Sequence, residues 1–155
     1  MTSVELVHCF REGLAEKRAE IERLLRTLMD SRIDPPWASF EWQKIKYIIA
    51  RCISHCLCQH GCKVYLLEMH GGEPSEGIGD KDIDLAIDCP LLQEDIDALE
   101  KEFEKTVLGF LGDILGDDAR KVLKVPNIVE LHSLNEFIIK KHVRARNQHY
   151  AIDLC

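Results

Sequence analysis

Residues 70–88 read HGGEPSEGIGDKDIDLAID, and the predicted fold rests mainly on this segment. Its first part, residues 71–79, contains four glycines and a proline, a composition typical of a loop. Its second part, residues 82–88, alternates acidic and aliphatic residues with the period of two that a strand requires. Asp82 and Asp84 are therefore expected on one face of that strand, with Cα atoms roughly 6.6 Å apart. The aliphatic residues between them point into a core.

This pairing of a glycine-rich turn with two neighbouring carboxylates indicates phosphate chemistry. Two carboxylates so close together repel each other unless a cation compensates, and Mg²⁺ prefers carboxylate oxygens while leaving positions for phosphates. A glycine-rich turn lets backbone N–H groups approach an anion, and the hydroxyl of Ser75 adds a further donor. The combination is the one that phosphoryl or nucleotidyl transfer needs. The alternative interpretation is an amphipathic strand with a solvated acidic face.

The segments before the loop predict helices and then a strand. Residues 4–29 place apolar side chains at helical spacing. A second helix is expected over residues 36–60, with Asp34 as its N-cap, Pro35 in its first turn and a glycine after its end. Residues 62–69 read as a buried strand.

The segments after the loop are expected to complete a small sheet. A third helix covers residues 91–115 and ends at a glycine. Residues 121–132 have strand character, and residues 133–141 are expected to form a short helix opened by a capping box. The last segment, 142–155, reads as two extended stretches around an Asn-Gln turn.

This order of elements predicts an α+β domain with a small mixed sheet preceded by two N-terminal helices. The whole chain, 1–155, is expected to be a single domain, helical over 1–60 and containing the sheet and the glycine loop over 61–155.

Gly71-Gly72, nine further residues and Asp82-Ile83-Asp84-Leu85 together resemble the signature of the polymerase-beta-like nucleotidyltransferase superfamily, in its minimal form. The resemblance implies the fold of that superfamily. It also implies that Gly71, Gly72 and Ser75 hold the triphosphate of a nucleotide, and that Asp82 and Asp84 coordinate two Mg²⁺ ions.

The resemblance further implies a third carboxylate on a later strand, which binds one metal ion and accepts the proton of the attacking hydroxyl. Two positions match, Asp153 within Ala-Ile-Asp-Leu and Glu130 within Val-Glu-Leu. Asp153 is preferred because its strand follows the expected hairpin and aspartate is the commoner choice. Asp82, Asp84 and Asp153 are then the expected catalytic and metal-binding residues.

The activity implied by the resemblance is transfer of a nucleoside monophosphate from an NTP, with ATP as the expected donor, to a hydroxyl. The acceptor is left open among a protein, a small molecule and an RNA end. The alternative is a catalytically inactive module of the toxin–antitoxin kind, which uses the fold to bind a partner protein. The long first helix offers a surface for such a partner or for a homodimer.

Composition limits the expected environment. The 155-residue chain is 46% hydrophobic and 30% charged, and its net charge of −7 disfavours non-specific binding to nucleic acids or anionic membranes. Its apolar runs are too short to span a bilayer, and its first residues lack the apolar core of a signal peptide. A cytoplasmic location without membrane contact is therefore expected.

The seven cysteines are expected to be reduced. Without a signal peptide, disulfides are unusual outside hyperthermophiles. Cys52 and Cys56 are one helical turn apart and fit a buried helix face. Structural zinc bound by the cluster at residues 51–62 and disulfide bonds are the alternatives.

Overall fold

The computed structural model describes residues 2–69, 81–134 and 149–155, and within these ranges the chain forms an α+β fold. The α+β class, the small mixed sheet and the two preceding helices are confirmed. In chain order the elements are α1 (Ser3–Ser31), α2 (Phe40–Gln59), β1 (Lys63–Met69), β2 (Ile83–Asp88), α3 (Gln93–Leu115), α4 (Ala119–Leu123), β3 (Val129–Ser133) and β4 (His149–Asp153).

The first two helices begin at side-chain caps. The Thr2 hydroxyl accepts a hydrogen bond from the Glu5 backbone N–H at the start of α1. Helix α2 begins at Phe40, because the Ser39 side chain accepts from the backbone N–H of Trp42. The predicted N-cap at Asp34 is wrong: its carboxylate is instead paired with Lys124, and four residues separate it from the cap. No helix in the described ranges has the length and apolar character needed to cross a membrane.

The segment between α3 and β3 differs from the prediction. Helix α3 ends as expected at Gly116, which has the left-handed φ of 72°. Residues 119–123 form a short helix instead of a strand, because the Asp118 carboxylate caps it by accepting from the Arg120 N–H. The strand is confined to Val129–Ser133. Most of the helix predicted at 133–141, and the first of the two C-terminal extended stretches, lie outside the described residues.

The four strands lie in the order β3-β2-β1-β4. Strand β1 is antiparallel to both β2 and β4, whereas β2 and β3 are parallel. A parallel pair needs a crossover connection, and α3 with α4 provides it. This crossover places β3 beside the acidic strand β2.

One sheet face is buried against the helices. Helix α1 packs on α2 and α3, with the Phe10 and Phe103 rings edge to face at 5.2 Å. The buried face of the sheet is formed by aliphatic side chains from the described strands: Val64, Leu66, Ile83, Leu85, Ile87, Val129 and Leu131. Because strand side chains alternate, the residues between them lie on the opposite face, and these include the acidic ones.

Six of the seven cysteines form disulfides, so the expectation of reduced cysteines is wrong. Cys9 bonds to Cys56, Cys58 to Cys155 and Cys62 to Cys89, with Cα atoms 6.0, 5.7 and 4.5 Å apart. Only Cys52 is free, and it is buried. Cys52 and Cys56 lie on a buried face of α2, as their spacing predicts. Their partners were not, because a disulfide depends on which surfaces pack together and not on local periodicity.

Candidate functional site

The site is built on the central strand β2. Asp84 pairs with Leu67 of β1 on one side and with Glu130 of β3 on the other. Residues in register on paired strands point to the same face, so the Asp84 and Glu130 carboxylates lie side by side on the face away from the core. Their side chains are 17% and 36% exposed, which keeps them accessible to a ligand.

His132 completes a compact cluster with these two carboxylates. It lies two residues after Glu130 and therefore on the same face, in register with the small side chain of Ala86. Its Nε2 atom is 3.2 Å from Asp84 Oδ1 and 3.8 Å from Glu130 Oε2. One ligand atom from each of the three residues lies within 4.8 Å of the other two.

The close packing of the cluster shifts its pKa values in different directions. Burial and the adjacent Asp84 carboxylate raise the pKa of Glu130 to about 7. Burial alone would raise the pKa of Asp84, but hydrogen bonds with His132, Glu130 and Asp82 outweigh it, so that pKa is lowered. The hydrogen bond with Asp84 raises the pKa of His132 against the opposing effect of burial. Of the two carboxylates, Asp84 is thus the one that is fully ionised at neutral pH.

Asp82 lies next to this cluster, one residue before β2. Its carboxyl group contacts that of Asp84, and its Oδ1 atom is buried. Trp42 of α2 is fully buried and donates its indole N–H to the backbone carbonyl of Lys81 at 2.8 Å. Lys81 is the residue directly before Asp82. The Ile83 N–H also donates to the Ile128 carbonyl, at 2.7 Å. These bonds hold the backbone at the start of β2.

Asp153 is not brought to this cluster. It is exposed on β4, and β4 is separated from β2 by the whole of β1. Strands lie about 4.8 Å apart, so β2 and β4 are roughly 9–10 Å apart. The Asp153 carboxylate accepts a hydrogen bond from the Cys155 backbone N–H at 3.0 Å. Of the two candidates for the third carboxylate, Glu130 is the one beside Asp84.

The predicted phosphate-binding residues Gly71, Gly72 and Ser75 lie outside the described residues. Their segment connects β1 to β2. Asp84 lies near this connection, because its partner Leu67 is close to the end of β1.

Helix α3 covers the outer edge of β3. Glu104 accepts hydrogen bonds from the backbone N–H groups of Ile128 and Val129, and Glu100 accepts from that of Leu131 at 2.8 Å. These carboxylates satisfy donors that an edge strand would otherwise leave unpaired. Between α3 and β3 runs a groove of about 580 Å³, whose lining includes Lys101, Lys105, Glu130 and His132.

His132 is the site residue that sequence reasoning missed. The signal was present, because Glu130 and His132 are two residues apart in a strand-like segment and must share a face. The parallel pairing that brings this face to Asp84 joins residues 46 positions apart in the chain, and no local pattern predicts it.

The cluster offers two carboxylate oxygens and one imidazole nitrogen to a divalent cation.

Comparisons of the chain with protein-family models, with curated proteins and with solved structures gave no match.

Proposed function

We propose that this chain is a Mg²⁺-dependent nucleotidyltransferase with the polymerase-beta-like fold. It moves a nucleoside monophosphate from an NTP, with ATP as the expected donor, to a hydroxyl of an acceptor. The observation that carries the proposal is the convergence of Asp84 and Glu130 from two paired parallel strands onto one side of the sheet. Asp82 adjoins them at the end of the segment that carries the glycine motif.

The carboxylates Asp82, Asp84 and Glu130 fit Mg²⁺. Carboxylate oxygens are its preferred protein ligands, and its remaining positions go to water and substrate phosphates. Asp84 contacts both Asp82 and Glu130, so we assign it as the shared ligand of two ions. Its lowered pKa keeps it ionised at neutral pH, as a ligand must be. When bound, Mg²⁺ stabilises the negative charge that develops on the reacting phosphate.

Glu130 is assigned as the third carboxylate and as the proton acceptor. In the transfer, the acceptor oxygen forms a bond to the α-phosphorus, the bond from that phosphorus to the bridging oxygen breaks, and pyrophosphate leaves. The proton of the attacking hydroxyl passes to Glu130. Its contact with Asp84 places the Glu130 carboxylate beside the assigned metal position, where it can accept this proton.

The surroundings of the cluster support a substrate with phosphates. The expected triphosphate-binding residues Gly71, Gly72 and Ser75 belong to the segment that leads into β2. Lys101 and Lys105 line the groove beside Glu130 and offer cations to a phosphate, but Glu100 and Glu104 line the same groove, so it carries no net positive charge.

Thermal melting with and without ligands tests the proposal. The wild type is melted with each NTP in turn, with and without Mg²⁺, and compared with Asp84→Asn. Asp88→Asn is the matched control, because Asp88 is an exposed aspartate at the end of the same strand. An NTP at 100 times its Kd should stabilise the wild type and the control by about 2.7 kcal/mol. It should not stabilise Asp84→Asn.

Release of pyrophosphate from the stabilising NTP then tests the transfer itself. Wild type and Asp88→Asn should release it in the presence of an acceptor hydroxyl, and Asp84→Asn should not. If no NTP raises the melting temperature of the wild type, the proposal is wrong. The inactive interaction module then becomes the better interpretation.

A further inference from the structure

The ligand atoms beside Asp84 are not all oxygens. His132 approaches from β3, and its Nε2 atom lies within 4 Å of both an Asp84 and a Glu130 oxygen. An imidazole nitrogen is a good ligand for Zn²⁺, Co²⁺ and Ni²⁺, whereas Mg²⁺ selects oxygens. A nitrogen at this position therefore changes which ion the cluster prefers.

We propose that Asp84, Glu130 and His132 form a three-ligand site for one transition-metal ion of the zinc class, with His132 as the ligand that selects this ion over Mg²⁺. The inference deepens the proposed function, since it concerns the same site and replaces one of its two Mg²⁺ ions by a zinc-class ion. The position between Asp82 and Asp84, which has only oxygen ligands, remains the one for the Mg²⁺ that accompanies the nucleotide.

The spacing of the three ligand atoms matches a tetrahedral ion. Zinc bonds of about 2.0–2.1 Å to nitrogen and oxygen place neighbouring ligand atoms about 3.4 Å apart. The His132 nitrogen is 3.2 Å from its Asp84 oxygen and 3.8 Å from its Glu130 oxygen. The third pair, an Asp84 oxygen and a Glu130 oxygen, lies within 4.8 Å.

The backbone that carries these ligands is held by the sheet. Glu130 and His132 are alternate residues of β3, and both are paired in register with β2. Glu100 and Glu104 of α3 bind backbone N–H groups along the other edge of β3. Three protein ligands with further positions open is the arrangement found in catalytic zinc sites, where water or substrate completes the coordination.

Metal titration without nucleotide tests the inference. The protein is freed of metal with a chelator and kept without reductant, so that the disulfides stay closed and the buried Cys52 is the only thiol. Zn²⁺ and Mg²⁺ affinities are measured by calorimetry for wild type, His132→Gln and His55→Gln. His55 is an exposed histidine on α2, so its variant controls for binding to surface imidazoles.

The expected result is a preference of wild type and His55→Gln for Zn²⁺ over Mg²⁺. His132→Gln should lose more in Zn²⁺ affinity than the roughly 10- to 100-fold that removal of an outer-shell partner costs, because a direct ligand is lost, and it should keep its Mg²⁺ affinity. Glutamine can still donate a hydrogen bond to Asp84, so a histidine that only orients Asp84 would leave the Zn²⁺ preference unchanged. An unchanged preference in His132→Gln, or no Zn²⁺ binding by wild type, overturns the inference.

A second measurement covers the case in which His132→Gln does not fold. Wild type loaded with Co²⁺ should show coupling to an imidazole nitrogen in its pulsed EPR spectrum, and so should His55→Gln. Absence of that coupling in wild type overturns the inference. A chain that shows it but binds no NTP keeps this inference and loses the proposed function. A chain that NTP and Mg²⁺ stabilise but that shows no Zn²⁺ preference keeps the proposed function and loses this inference.

Discussion

At the scale of single residues, Glu130 has the most unusual environment in the described cluster. Burial and the ionised Asp84 raise its pKa to about 7, from an ordinary 4.5. A group whose pKa is higher in the folded chain than in the unfolded chain binds its proton more tightly in the folded chain. Glu130 therefore stabilises the fold fully below pH 4.5, and this contribution is lost as the pH rises through about 7.

We expect the melting temperature of the metal-free wild type to fall between pH 5 and pH 7, and Glu130→Gln to flatten this fall. His132 adds a loss of stability at higher pH, because its pKa is raised above 6.5. The pKa of Asp84 is lowered, so Asp84 adds a loss of stability only when the pH falls below 3.8, the ordinary pKa of its carboxyl group. Thermal melting in the presence of a chelator between pH 5 and pH 7 measures the contribution of Glu130.

Glu102→Gln is the control for this experiment, because Glu102 is an exposed glutamate on the neighbouring helix α3. It should follow the wild-type curve. A Glu130→Gln curve as steep as that of the wild type would show that Glu130 titrates normally in the folded chain.

The residues of this cluster differ in how far the sequence alone predicts their positions. The period of two places Asp82 and Asp84 on one face from the local sequence alone. Glu130 was one of two candidates, and Asp153 was preferred on a local hairpin argument. Only the strand order places Glu130 beside Asp84 and Asp153 beyond β1.

At the scale of elements, the attachment of β3 to α3 decides whether the cluster is held together. Among the strands that the structure describes, β3 is at the edge of the sheet, and one of its sides has no partner strand in the described ranges. Glu104 accepts from the backbone N–H groups of Ile128 and Val129, at 2.9 and 2.6 Å. A buried N–H group that loses its acceptor costs about 1–3 kcal/mol.

We therefore expect Glu104→Ala to lower the free energy of unfolding by about 1–3 kcal/mol. Urea unfolding with the disulfides intact measures this. Glu102→Ala is the matched control, because Glu102 is exposed two residues earlier on the same helix. Both variants gain the same small helix propensity from alanine. Equal stability of the two variants would contradict a role for Glu104 in holding the edge of β3.

Element boundaries followed from the sequence where the signal was local. Gly116 ends α3 as predicted, because a left-handed residue there favours glycine. The start of α2 was misplaced, because Asp34-Pro35 and Ser39 both resemble helix starts and only Ser39 makes the capping bond. Helix α4 was missed because a five-residue helix is too short to show a period.

At the scale of the whole molecule, two of the three disulfides lie at one end of the sheet, and the third, Cys9–Cys56, joins α1 to α2. Cys62 precedes β1, Cys89 follows β2 and Cys155 follows β4, and antiparallel pairing brings these strand ends together. The chain separations of the bonded cysteines are 47, 97 and 27 residues. Each such bond is worth about 2–4 kcal/mol through the restricted unfolded chain.

Reduction should therefore destabilise the protein strongly. Three bonds at about 2 kcal/mol or more each predict a fall in melting temperature of roughly 12 °C or more in dithiothreitol. Melting with and without the reductant measures it. An unchanged melting temperature would contradict a structural role for the disulfides.

Thiol counting in the unreduced protein is the control for this prediction. Cys52 should be the one thiol that reacts after denaturation, and it should react slowly in the folded chain, because burial raises its pKa to about 11. Seven reactive thiols would show that the cysteines are reduced. The cytoplasmic location stays a prediction, and this count bears on it because disulfides are rare in reducing compartments.

Local sequence patterns were enough to predict the amphipathic helices, the alternating strand β2, the adjacency of Asp82 and Asp84 and the end of α3 at Gly116. Each of these follows from side-chain periods or backbone preferences within a few residues. The strand order, the contacts of Asp84 with Glu130 and His132, and the cysteine partners became known only from the packed fold. These depend on which buried faces pack together, and packing joins residues far apart in the chain, where no local period carries information.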